Sequence, residues 1–239
     1  MNIMIDLILC ILAVAVLVSM LCKNTIVAIA RFCALVIAVT AATLAAPPLA
    51  KAAAPALDSL DFYRASAVAD LADLAEVRQL RTSALTLAQI DVDTLMQQKP
   101  DQTAALLAQY GTDRATVETA IRPADDRPAA FVRAMTQTPW RAAVEAILFL
   151  ALIAVLYDVL VAVFRALLYH FFPKDKKRNV PVLTGLFALL SVGIVVAYIA
   201  VPVLEHFAPY GIGILKTMRL DEACAQSMLF GWCRKLYIL

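Results

Sequence analysis

Residues 140–172 read WRAAVEAILFLALIAVLYDVLVAVFRALLYHFF, and they decide the fold class. A basic turn, Lys174-Asp175-Lys176-Lys177-Arg178, follows, and then an uncharged run, PVLTGLFALLSVGIVVAYIAVPVL, at 181–204. A bilayer core about 30 Å thick takes roughly 20 apolar residues in a helix. Both runs are long enough. Lipid offers no partner for a free N–H or C=O, so each run is expected to be helical. Two more apolar segments lie upstream, at about 3–22 and about 26–49, joined by the tight link Lys23-Asn24-Thr25 with Asn24 or Thr25 as N-cap.

Composition agrees. Of 239 residues, 62% are hydrophobic and 17% charged, where a soluble domain has about 45–50% and about 25%. That balance argues against an ordinary globular enzyme, a disordered chain and a collagen-like repeat. A net charge of +2 without a basic–aromatic stripe argues against nucleic acid as a partner. The five cysteines show no C-x-x-C spacing, and His170 and His206 have no second ligand nearby, so no metal or cofactor is expected.

The expected fold is an all-α membrane protein with four transmembrane helices and a helical extracytoplasmic insert between the second and third. Its parts are a first hairpin at 1–57, the insert at 58–139, a second transmembrane pair at 140–204 (spans about 140–172 and 181–204), and a tail at 205–239. Pro47-Pro48 and Pro55 are read as ending the second helix. The insert holds 12 acidic and 8 basic residues. Helices are expected over Ser66–Gln89, over Asp101–Tyr110 with Asp101 as N-cap and Gly111 as stop, and from Thr112 to before Pro123. Basic residues mark the cytoplasmic side. Lys23 and Arg31 at the first turn and Lys174–Arg178 at the second agree, which places the insert and both termini outside. Lys174–Arg178 is first of all this topology signal; anionic lipid headgroups are its alternative use. A cleaved signal peptide ending near Ala46 to Ala52 is the competing parse, and the apolar segment in front of it argues against that.

Three features resemble the colicin V production (CvpA-like) family of bacterial inner-membrane proteins. They are Met4-Ile5-Asp6 at the mouth of the first helix, the basic turn leading straight into the second, and Val182-Leu183-Thr184-Gly185-Leu186-Phe187-Ala188-Leu189-Leu190 in the fourth. The chain departs from the family at Cys22-Lys23-Asn24, where a Gly usually follows a basic residue, at Gly193, which is displaced, and in its longer insert. The resemblance implies an inner-membrane protein linked to export, envelope stress tolerance or biofilm behaviour, with no catalytic residues to carry over.

The intramembrane charges are Asp6, Arg31, Asp158 and Arg165. Asp158 is expected about 21 Å below the outer end of its span, where an ionised carboxylate costs at least ~2.5–3.5 kcal/mol unless paired or wetted. Its depth suits a pair with Arg31, either as an ion or proton site or as the commoner structural ion pair. Arg165 lies two turns on, on the same face. Asp6 reads as a lumen-lining acid or simply as an acid at a helix N-terminus. Glu145 and Arg141, at i, i+4 beside Trp140, read as an interfacial anchor. Gly185, Gly193 and Ala197 form an expected helix-packing face. Cys224 and Cys233 are expected to form a disulfide, unless one helix runs through both and separates them by about 13.5 Å.

The function these readings support is a non-enzymatic integral membrane protein assisting or scaffolding an export or envelope process. Its partners would be the lipid bilayer and a protein bound through residues 58–139. The alternative is a small channel or ion pathway lined by the intramembrane charges, which requires a homo-oligomer because four helices leave little room for a private pore.

Overall fold

A computed structural model describes residues 3–77, 83–171, 180–207 and 220–238. Among them every regular element is helical and none is a strand. In order these are α1 (Ile3–Leu21), α2 (Thr25–Ala56), α3 (Tyr63–Leu74), α4 (Ser83–Leu87), α5 (Val92–Gln98), α6 (Pro100–Gln109), α7 (Arg114–Ile121), α8 (Arg127–Phe171), α9 (Pro181–Ile194), a π-helical turn (Val195–Ala200), α10 (Val201–Phe207), α11 (Leu220–Gln226) and α12 (Met228–Ile238). Three helical stretches, Thr25–Ala56, Arg127–Phe171 and Pro181–Phe207, are long and apolar enough to cross a membrane. The apolar stretch Ile5–Leu21 is shorter.

The chain divides into two compact units. The first comprises Met1–Ala50, Glu145–His206 and Glu222–Leu239. Within it α1 packs on α9, on the π turn and on α12. Leu35, Val39, Ala42 and Ala46 of α2 form a core with Phe149 and Ile153 of α8, and Ile194, Val195 and Ile199 press against it. The apolar part of α8, long enough to cross a membrane, is mostly uncovered. Val155, Val159, Val163, Leu167 and Phe171 recur every four residues and are all exposed, an apolar stripe that water would not tolerate at this length but acyl chains would.

The second unit comprises Lys51–Val144 and Phe207–Asp221. Buried in it are Val68 and Leu71 of α3, Leu95 of α5, Leu107 of α6, Val117 of α7, and Phe131 and Met135 of α8. Cap chemistry sets the short helices. Asp91 accepts from the Asp93 and Thr94 amides ahead of α5, and Asp113 from the Thr116 amide ahead of α7; the hydroxyls of Thr94 and Thr116, and then these amides, hold both carboxyls below their ordinary pKa. Gly111, at φ 66°, ends α6 as expected, with the Thr112 amide reaching back to the Leu107 carbonyl.

Several expectations are corrected. The run Ser66–Gln89 is helical in α3 up to Leu74 and again in α4, and α3 stops where Glu76 adopts φ 56° and turns the chain in the left-handed region. The Val77 amide closes that turn on the Ala72 carbonyl, and Lys99 Nζ bonds both the Leu74 carbonyl (2.8 Å) and Glu76 Oε1 (2.5 Å). A non-glycine is thus held where glycine is usual. The first turn of α6 has Pro100 at its start in place of Asp101 as cap. Pro47-Pro48 do not end α2, which runs through them and stops at Ala56, one residue past Pro55. Ala30, Ala34, Ala38, Ala42, Ala46, Ala50 and Ala54 are all buried, and packing along this four-residue repeat carries the helix through the missing N–H groups. Likewise α8 starts at Arg127 and passes through Pro139.

Candidate functional site

Among the described residues, Asp6, Arg31, Asp158 and Arg165 form no ion pair with one another. Arg31 donates from Nη1 to the Ser19 carbonyl (3.1 Å) and hydroxyl (3.0 Å), on the helix before the turn. Serine replaces the expected Asp158 as its partner, since the link 22–24 folds Ser19 back beside it. Asp158 and Arg165 are both exposed along α8. Asp6 is committed elsewhere. Its Oδ1 accepts from the Ser227 hydroxyl (2.6 Å) and the Leu229 amide (3.1 Å), so it sits over the N-terminus of α12, where the helix dipole favours an anion. Ser227 itself caps the Phe230 amide (3.0 Å).

At the turn between α1 and α2, Asn24 Oδ1 caps the Val27 amide (3.1 Å), as expected. Thr25 ties that turn to the start of α9. Its Oγ1 accepts from the Val180 amide (2.7 Å) and shares a hydrogen bond with Thr184 Oγ1 (3.0 Å). Lys174–Arg178, the expected cytoplasmic basic cluster, lies outside the described residues.

Glu145 meets His206 Nε2 (3.5 Å) in place of Arg141, while His206 Nδ1 lies 2.7 Å from the Pro202 carbonyl. Beside it Arg234 pairs with Glu205 (2.8 Å). The expected glycine face is corrected too. A methyl group built on Gly185 or Gly193 would meet nothing within 4 Å. The buried face of α9 is Thr184, Ala188 and Ser191, and the π turn then brings Val196 and Ala197 inward. Gly185 is half-buried and Gly193 exposed, so only Ala197 of the three is buried. No disulfide joins Cys224 and Cys233. They lie on successive helices, α11 and α12, that meet at Ser227, and helical continuation on both sides leaves no turn to bring the sulfurs together.

The second unit holds a cleft of about 1390 Å³. Arg133, Gln137, Trp140 and Arg141 line it from α8, at spacings i, i+4, i+7 and i+8 that share one helical face. Lys51, Ala54 and Pro55 line it from the end of α2. Asp58 draws two arginines to the wall, Arg64 at 2.9 Å and Arg133 at 3.2 Å. Trp140 is fixed by an Nε1–H bond to the Ala54 carbonyl (3.1 Å) and by an edge contact with Phe62, 5.6 Å between centroids. Much of the remaining wall is alanine. This cleft was not foreseen from the sequence, although the Arg133–Arg141 spacing and the Lys51 beyond the apolar run are visible there.

Among the described residues no group of His, Cys, Asp and Glu is arranged to hold a metal. Compared with known proteins, the chain matches no family model, no curated protein and no solved structure.

Proposed function

We propose that the chain is a non-enzymatic integral membrane protein that scaffolds an export or envelope process, the role its resemblance to CvpA-like proteins implies. It crosses the bacterial inner membrane four times, with the shorter α1 as the first span and both termini outside. The observation that carries the membrane reading is the exposed apolar stripe of α8 from Val155 to Phe171, on one of three helices long enough to cross. Residues 58–139 serve as the partner-binding module, with Leu60, Phe62 and Leu85 offering exposed apolar contacts. The channel alternative draws less support, because Asp6 and Arg31 are engaged by serines while Asp158 is exposed.

Two measurements test this. Reporters active on only one side of the membrane, fused after Leu239, are expected to report the outside; cytoplasmic activity refutes the topology. Cross-linking from native membranes is expected to capture a protein partner through 58–139, with purified protein silent in a liposome flux assay. Ion flux that vanishes in Asp158→Asn would overturn the scaffold in favour of the channel.

A further inference from the structure

The four cations of the cleft are not equivalent. Asp58 engages Arg64 and Arg133, and Asp126, one of the other two acids on the wall, is occupied capping the Ala129 amide at 3.1 Å. Among the described residues, Lys51 and Arg141 have no carboxylate partner, and both are exposed. Their places in the chain are telling. Lys51 directly follows the apolar run of α2, and Arg141, next to Trp140, directly precedes the apolar run of α8. In a protein that spans a bilayer these are headgroup-level positions, where Trp and long cationic side chains collect.

We propose that the cleft binds the phosphate-bearing headgroup of an anionic phospholipid. Lys51 and Arg141 grip the phosphate, Arg133 presents the guanidinium edge that Asp58 leaves open, and the alanine wall takes the glycerol and the first part of the acyl chains. A small free anion would use the cations but would leave most of this volume and the apolar wall unfilled. An acidic protein segment would not need its cations aligned with the ends of two membrane-crossing stretches. The site rests on the membrane-spanning reading above and adds a ligand class to it.

The test uses the full chain, carrying Trp232→Phe so that Trp140 is the single tryptophan, reconstituted into phosphatidylcholine vesicles containing a minor fraction of brominated lipid. Brominated phosphatidylglycerol is expected to quench Trp140 more than brominated phosphatidylcholine at the same fraction. Lys51→Gln and Arg141→Gln should each reduce the preference about fivefold, the equivalent of one basic group at the surface. Arg122→Gln, which removes the same charge outside the cleft, should leave it unchanged, and Lys51→Arg with Arg141→Lys should retain it. Equal quenching by the two lipids overturns the site, as does a loss of preference in Arg122→Gln equal to that in the cleft variants. Competition by inorganic phosphate overturns the lipid as occupant. Failure of the reconstituted chain to float with the vesicles overturns the membrane reading itself, a result distinct from flotation with equal quenching.

Discussion

The carboxylate of Asp6 and the hydroxyl of Ser227 are 2.6 Å apart although 221 positions separate them in the chain. The acid near the start of α1 is thereby a capping group for the last helix. Ser227 caps α12 from within, and Asp6 caps it from another helix.

Loss of that cap should loosen the tail. Ser227→Ala is expected to cost about 1 kcal/mol of local stability, which is about a fivefold rise in the labelling rate of Cys233 where opening limits access. Burial raises the pKa of that thiol, so its resting reactivity is low. Mass spectrometry after timed alkylation reads the rate, and an unchanged rate in Ser227→Ala would count against the cap. Prior reduction should add no reactive thiol at 224 or 233, since the two are not bridged.

Thr25 is the polar link between the first turn and α9. Thr25→Val removes its bonds to the Val180 amide and Thr184 at once, and a buried donor left without its acceptor costs about 1–3 kcal/mol. A double-mutant cycle with Thr184→Val should show coupling of at least about 0.5 kcal/mol. Additive losses in thermal unfolding would place the two threonines in separate roles.

Acid should act on the second unit in two opposed ways. The caps Asp91 and Asp113 have lowered pKa values, so their contribution is present above the ordinary carboxylate range and is lost as pH falls through the lowered values. Asp61 is raised by burial, against hydrogen bonds from Thr136 and the Tyr63 amide. Its contribution is full below the ordinary range and lost as pH rises through the raised value. Asp61→Asn keeps an acceptor for the Tyr63 amide and should therefore raise stability near neutral pH while leaving the acid loss intact. A variant no more stable than the parent at neutral pH would contradict this.

Glu76 holds a left-handed backbone at a cost of order 1–3 kcal/mol for a residue other than glycine. Its exposed ion pair with Lys99 is screened by water and returns less than that. Glu76→Gly should therefore stabilise, while Lys99→Ala should destabilise by freeing the Leu74 carbonyl. Chemical denaturation of both variants gives the signs.

Helix faces can be probed by size. Gly185→Ala and Gly193→Ala should be tolerated, because the added methyl meets open space. Ala42→Leu should cost about 1–3 kcal/mol by overpacking a fully buried seam. Retention of helical signal on heating separates them.

What could be read from the sequence is what local chemistry decides. Apolar runs locate the long helices, Asn24 announces a cap, and Gly111 marks a stop. The misreadings share a different cause. Pro47, Pro48 and Pro139 break isolated helices, yet here each lies inside a helix supported by packing that a local rule does not see. The seven-alanine repeat of α2 was legible in principle and is a better guide to the packing face than Gly185 or Gly193. Glu76 in a glycine conformation depends on Lys99, and the cap on α12 depends on Asp6; neither partner is a sequence neighbour. The cleft needs Lys51, Asp58 and Arg133 from distant positions on one wall, and the short helix α5 rests on a cap at Asp91 that no long apolar period announces.

The π turn at Val195–Ala200 holds one residue more than an α-helical path would. The turn takes up that extra residue locally, so α10 keeps the phase that an uninterrupted α-helix would give it. Removing one residue from that turn would restore α geometry and leave everything after it in phase, so that His206 still meets Glu145 and Glu205 still meets Arg234; the same removal from the α-helical run before it would rotate everything beyond by about 100°. For this segment the place of a single-residue length change matters more than the change itself, and the π turn is where one is absorbed.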